Sequence, residues 1–196
     1  MNQETEGLLS PWIRNIRLKA VAKHVPEGAV VLDLACGGGY LKRFLPSGCQ
    51  YFGVDWVDPP VGAAFDGFLK LDLASSDAIE RICAFLPGHK ASVITMVAFI
   101  EHVESPPLML QKVLPIMSSD AMLLLTTPHP IGRKLHEVLA TFGLCSRVGA
   151  EEHKAFLARR DLEGILGQSA FELKAYERFL FGLNQLVKAV PVHAQK

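Results

Sequence analysis

The sequence predicts a doubly wound α/β fold: a seven-stranded, mostly parallel sheet with an antiparallel last strand. Three observations predict it. Apolar, β-branched runs alternate with segments of helical spacing along most of the 196 residues. The first run, Val31-Leu32-Asp33-Leu34-Ala35, breaks at Cys36 into Gly37-Gly38-Gly39, a strand-to-helix turn that lets a ligand approach the backbone. Acidic residues then end successive predicted strands, where sheets of this class bind their ligands.

The elements follow in order. Leu8, Ile13, Ile16, Leu18 and Val21 predict an N-terminal helix over about 8 to 24, closed by the turn chemistry of Pro26-Glu27-Gly28. Strand one is expected over about 29 to 35, followed by a helix to Leu45 that Pro46-Ser47-Gly48 stops. Strand two covers Tyr51 to Asp55 and strand three Phe68 to Asp72. Ser75-Ser76-Asp77 caps a helix with Ile79, Ile82, Cys83 and Leu86 at helical spacing, and Pro87-Gly88 ends it. The continuous apolar run Val93 to Phe99 has the character of a central strand covered on both faces. A helix from Pro107 to Leu114 and a second buried strand, Ala121 to Thr127, come next. Pro128 and Pro130 force a loop before a helix around Lys134 to Phe142; 145 to 155 is irregular. A helix from Asp161 to Leu166 precedes two strands, Phe171 to Phe179 and Leu186 to Val190, joined through Gly182 as an antiparallel edge. No repeat or linker interrupts the pattern, so residues 1–196 are expected to form one domain.

Composition narrows the function. The chain is 49% hydrophobic, enough for a substantial core, and 20 basic residues balance 20 acidic ones. A neutral chain lacks the global field that draws polyanions, so a small-molecule acceptor is expected rather than nucleic acid. The apolar run from Ala91 to Ile100 is too short to cross a bilayer, and Glu4 and Glu6 ahead of Leu8-Leu9 do not read as a signal peptide. A cytoplasmic protein without stable membrane association is expected, its oligomeric state open. Cys36, Cys49, Cys83 and Cys145 show no zinc spacing and read as free thiols, with a reactive Cys36 as the lesser alternative.

The strand-end residues carry the chemistry. Asp55 follows the glycine turn by one strand, where a carboxylate accepts from both ribose hydroxyls. Trp56 offers a flat face to a purine, and Asp72 could accept from its exocyclic amine. A strand-terminal Asp is otherwise an ordinary turn former; their succession behind a glycine turn points to a nucleoside. The dinucleotide pattern G-x-G-x-x-G is broken, because Lys42 stands where its third glycine belongs.

VLDLACGGGYL, YFGVDW and FLKLDLA, then ITMVAFIEHVESP and AMLLLTTPHP, resemble in order the motifs of class I S-adenosylmethionine-dependent methyltransferases. The closing segments EEHKAFLARRDLEGIL, GQSAFEL and FGLNQLVKA are similar to small-molecule members near the ubiquinone-biosynthesis O-methyltransferases. The resemblance implies a Rossmann-like sheet and S-adenosyl-L-methionine as cofactor. It implies that Asp33 orients the glycine loop, that Ala35, Cys36, Gly37 and Gly39 lie along the methionine part, and that Asp55 holds the ribose. Trp56, Asp72 and Leu73 would border the adenine, and backbone at Val97 would meet the amino group. Arg17 is a possible partner for the cofactor carboxylate or a solvated helix residue.

Methyl transfer is an in-line displacement in which the protein aligns the nucleophile and, where needed, removes its proton. His102, just past the fourth strand, is the base candidate, with Glu101 to orient it; a loop-packing histidine is the plainer reading. Relatives hold a metal with this Glu-His and a Glu three residues earlier, but that position is Ala98, so no metal is expected. His129, His153 and Lys154 are further candidates for the acceptor pocket, and Asp58-Pro59-Pro60 follows the wrong strand to be a D-P-P-Y motif. The chain departs from the family at Ala35, Ser92, Asp120 and Ala170, where Gly, Asp, Gly and Gly are usual. These departures motivate the alternative of a non-catalytic methyltransferase-like partner; a nicotinamide-dependent oxidoreductase is a third reading.

Overall fold

The computed structural model describes residues 10–132 and 157–192. The expected helix around Lys134 to Phe142, the irregular stretch, Cys145, His153 and Lys154 lie outside them, as does the start of the N-terminal helix. The chain runs α1 (Ser10–Ala22), β1 (Val30–Leu34), a 3₁₀ turn (Tyr40–Phe44), β2 (Gln50–Asp55), β3 (Gly67–Lys70), α2 (Ala78–Phe85) and β4 (Ala91–Val97). A 3₁₀ turn (Ile100–His102), α3 (Pro106–Val113), β5 (Met117–Pro128), α4 (Arg159–Gln168), β6 (Phe171–Phe179) and β7 (Asn184–Pro191) follow.

The seven strands form one sheet in the order β3-β2-β1-β4-β5-β7-β6. β7 pairs antiparallel with both neighbours, so it alone runs against the other six. The antiparallel strand is thus the last in sequence, as expected, but β6 forms the edge, because the β6–β7 hairpin inserts its second strand beside β5. Strand order reverses between β1 and β4, whose carboxyl ends diverge into the crevice where ligands of such sheets bind.

Alternation along the central strands builds two cores. Val31 and Val93 face one side with Leu18, Val21 and Ala22 of α1, whereas Leu32, Leu34 and Ile94 face the other with Ile82 of α2, Leu110 of α3 and Leu162 of α4. Covering both faces explains the unbroken apolar runs of β4 and β5.

Four elements differ from the sequence expectation. β3 ends at Lys70 rather than Asp72, which leaves Asp72 in the turn beyond it. The helix after the glycine turn is a single 3₁₀ turn, since only residues 40–45 separate left-handed Gly39 (φ 69°) from Pro46, too few to sustain an α-helix. β4 ends at Val97 rather than Phe99, because Ala98 turns left-handed at φ 53°. β5 starts earlier, at Met117, and loses step with β4: Met117 pairs with Ala91 and Met122 with Val93, a bulge that puts Ser119 and Asp120 outside the ladder.

Candidate active site

The turn after β1 is held from the side. Gly37 N–H donates to Asp55 Oδ2 at 2.8 Å, and Val57 N–H donates to Asp55 Oδ1 at 3.1 Å, so one carboxylate ties the glycine loop to the end of β2. Each oxygen retains a second lone pair that faces no backbone donor of this loop. Asp33, to which the resemblance assigned that orienting role, is used differently. It is buried within β1 and accepts from Tyr51 Oη and Thr95 Oγ1, both at 2.6 Å, bracing β1 against β2 and β4. Burial pushes the Asp33 carboxyl up to about 6, even though both hydrogen bonds pull the other way.

The three glycines do different work. A Cβ on Gly39 would stand 2.4 Å from the Phe65 ring, and one on Gly38 would stand 2.6 Å from the Tyr40 ring. Gly53 on β2 faces the same plug, 2.3 Å from Phe65 and 2.7 Å from Cys36 Sγ. Phe65 stacks on Tyr51 at 5.3 Å between centroids and leans on Phe68 at 5.4 Å. Two of the loop glycines therefore make room for aromatic rings of this chain. Gly37, by contrast, has open space around its Cβ position and needs glycine for its left-handed φ of 51°. Phe65 escaped the sequence reading because it sits in a loop without periodicity.

Ala35 sits where the family that the sequence resembles has glycine, and its φ of 59° gives the reason: the turn needs a left-handed residue. The surroundings of Cys36 favour the neutral thiol over the thiolate. Burial, then the charges of Asp33 and Asp55, drive its pKa far above the ordinary range.

A cleft of about 650 Å³ opens beside this turn. Its wall gathers Ala35, Asp55, Trp56, Asp72, Leu73 and His102 of the predicted site, together with Phe99 and the α3 residues Leu108, Met109 and Lys112. Trp56 is 75% exposed and presents its indole to the opening. Asp72 Oδ1 accepts from Ala74 N–H at 2.9 Å, which sets the turn after β3. Asp33, Cys36, Gly37, Gly39, Val97 and Glu101 are outside the wall.

Glu101 and His102 part company. His102 lines the cleft, but Glu101 turns inward and is 1% exposed. Burial raises the Glu101 carboxyl above the usual range, opposed by the charges of Arg17 and His102 and by a hydrogen bond with Thr127. Arg17 Nε in turn donates to Asn184 Oδ1 at 2.7 Å, linking α1 to the start of β7. Neither Arg17 nor Asn184 is part of the cleft wall. His129 is set beside the mouth of the β6–β7 hairpin, its N–H donating to Leu183 O at 2.8 Å; burial and Arg178 lower its pKa. Among the described residues no three His, Cys, Asp or Glu side chains converge as a metal site.

A family model described as a methyltransferase domain matches residues 7–175, nearly the whole chain. The chain belongs to this methyltransferase family. No curated protein matches the methyltransferase sequence. Solved structures match its fold at low identity. A Haloferax volcanii chain in complex with the Trm112 methyltransferase activator superposes with a TM-score of 0.66 at 14% identity, covering 93% of this chain and 90% of that one. The plantazolicin methyltransferase BpumL, solved with a substrate analogue and SAH, gives 0.63 at 14% over 94% and 86% of the two chains. CalO1, a methyltransferase of calicheamicin biosynthesis in its SAH-bound form, gives 0.64 at 13%, with 93% of the methyltransferase matching 55% of CalO1.

Proposed function

We propose that this chain transfers the methyl group of S-adenosylmethionine to a small-molecule acceptor, at oxygen, as one catalytic domain of the cytoplasm akin to the ubiquinone-type O-methyltransferases. One observation carries the reading: the cleft wall brings Ala35, Asp55, Trp56, Asp72 and Leu73 together from the ends of β1, β2 and β3. The solved neighbours that hold SAH support the same cofactor. The residues suit an adenosine with an amino-acid tail. Asp55 has lone pairs left for two hydroxyls, Trp56 has an open ring face, Asp72 keeps one carboxylate oxygen outside its own turn, and Gly37 leaves the loop side clear.

When bound, the cofactor supplies an electrophilic methyl group on a sulfonium. The chain does the rest. The loop from Ala35 to Gly39 and the Asp55 carboxylate fix the donor side, and Trp56 with Phe99 shields it from water. His102, in the wall, takes the proton from the acceptor hydroxyl at Nδ1 or Nε2. Glu101 sets the local field from the interior and is a positioning residue for the 3₁₀ turn that carries His102. No helix among the described residues is long and apolar enough to cross a membrane. The family match and the intact cleft favour turnover over the non-catalytic reading.

Isothermal titration with S-adenosylmethionine and its demethylated product tests the reading; no heat at about millimolar ligand would sink it, since that limit corresponds to ~4 kcal/mol of binding. Replacing the base, His102→Ala should lower kcat by about 10² or more with cofactor affinity unchanged. Glu101→Gln should lower kcat by about tenfold and shift the acid limb of the pH profile.

A further inference from the structure

Formal neutrality hides a local excess of base in the first described segment of the chain. Residues 10–49 hold six basic side chains, Arg14, Arg17, Lys19, Lys23, Lys42 and Arg43, against two acidic ones, Glu27 and Asp33, and Asp33 is buried. The fold brings α1 and the Tyr40–Phe44 turn into contact, so Arg14, Lys19 and Arg43 share one face, whereas Arg17 points to Asn184 and the buried Glu101. On that face the three cations interleave with aromatic rings. The Arg14 guanidinium lies 4.2 Å from the Tyr40 centroid, Arg43 lies 5.3 Å from Tyr40 and 4.9 Å from Phe44, and Lys19 lies 5.6 Å from Phe44. Arg43 also donates to Asn15 Oδ1 at 2.6 Å. Among the described residues no carboxylate pairs with Lys19, Lys23 or Arg43; Lys42 is the exception, bound to Asp66. Trp12, Lys19 and Lys23 form an exposed stripe along α1, with Trp12 53% exposed. Over eleven residues that stripe runs about 16 Å.

We infer that this face binds a single-stranded nucleic acid, with Lys19, Lys23 and Arg43 on successive phosphates and Trp12 stacking on a base. Guanidinium and ammonium groups resting on rings are held in place, which lowers the entropy lost on meeting fixed phosphates. The stripe is long enough for several phosphates and ends on an open indole, the pairing that single-strand grooves use. An anionic bilayer fits less well. α1 commits its apolar side, Leu18, Val21 and Ala22, to the sheet, leaving Trp12 as the apolar group on the stripe, whereas interfacial helices bury a whole apolar face. The inference concerns the α1 face and stands independently of what the cleft methylates. Net charge pointed away from nucleic acid; the distribution of that charge points toward it.

Fluorescence anisotropy of a labelled oligouridine of about 20 nucleotides, titrated with the full chain, tests it. With about three phosphates engaged, affinity should fall about twentyfold between roughly 50 and 200 mM salt. The double variant Lys19→Glu, Lys23→Glu should lose at least about tenfold at the lower salt and show a flatter salt slope. Trp12→Ala should lose about fivefold with the slope unchanged. Arg160→Glu, an exposed charge reversal on α4 across the sheet, should stay within about twofold. Circular dichroism melts establish that each variant is folded. No anisotropy change at about 100 μM protein, an equal loss in Arg160→Glu, or tighter capture by phosphatidylserine vesicles than by oligouridine would each overturn the inference.

Discussion

The turns that end β1 and β4 lie side by side at the strand-order reversal and solve one geometric problem in two ways. Each places an alanine in the left-handed region, Ala35 at φ 59° and Ala98 at φ 53°. After β1 the chain stays on the surface of the crevice, clamped by Asp55 from the neighbouring strand and open at Gly37. After β4 it dives: Ala98 N–H donates to Thr126 O at 2.9 Å, and the next turn buries Glu101 while leaving His102 in the cleft. The first turn thus borders the cleft with Ala35, the second with the side chain of His102. A carboxylate belongs to each, Asp55 bordering the cleft in one case and Glu101 enclosed by protein in the other.

The largest expected effect breaks the first turn. Asp55→Ala leaves the Gly37 and Val57 N–H groups without their acceptor and should weaken cofactor binding by about a hundredfold, ~3 kcal/mol, read by isothermal titration. Should the affinity survive, the clamp is not what organises the loop.

Next in size is a pH effect beneath that turn. The folded pKa of Asp33, about 6, lies above its ordinary 3.8, so the folded chain holds this proton more tightly than the unfolded one. Its stabilising contribution is present below about pH 4 and is lost as pH rises through about 6, a change of about 3 kcal/mol. Urea unfolding of the wild type and of Asp33→Asn should give a stability difference that declines over this window and is flat above it. A flat difference throughout would show the carboxylate to be no more costly to ionise than in the unfolded chain.

The glycines give a graded series. Gly39→Ala meets both the Phe65 ring and a left-handed backbone and should cost about 3 kcal/mol; Gly53→Ala meets the ring and should cost about 2; Gly37→Ala meets the backbone penalty and should cost about 1. Any other order in chemical denaturation would contradict the aromatic plug.

The smallest effects separate the two alanines. Ala35→Gly and Ala98→Gly each relieve a left-handed residue and should raise Tm by about 2–4 °C, near 1 kcal/mol. Ala35 is in the cleft wall, so its replacement should also change cofactor affinity, tightening it if the methyl group crowds the ligand. Ala98→Gly should leave that affinity alone. Equal behaviour of the pair in titration would erase the distinction between the turns.

Much of the cleft wall was readable beforehand because its signals are local. A β-branched run marks β1, and the glycine turn that follows needs unusual backbone angles that few residues supply. Asp55, Trp56 and Asp72 lie within three residues of their strand ends, so placing the strands places them. His102 also reached the cleft. Glu101 did not, because one residue of rotation around a 3₁₀ turn swings a side chain by about a third of a circle, and no periodic pattern records it.

By itself, then, the sequence determined the alternation of elements, the glycine turn and the strand-end acids, since each depends on neighbours a few residues away. Tertiary structure decided the rest. That Asp55, rather than Asp33, holds the loop depends on β1 and β2 lying in register, Asp33 beside Gly53 and Leu34 beside Val54. That Phe65 fills the space under Gly39, and that Arg14 closes on Tyr40, depends on chain segments 20 or more residues apart meeting in space. A neutral sequence gathers cations on α1 and the Tyr40–Phe44 turn for the same reason: charge adds along the chain without regard to position, whereas its field depends on where the fold puts it.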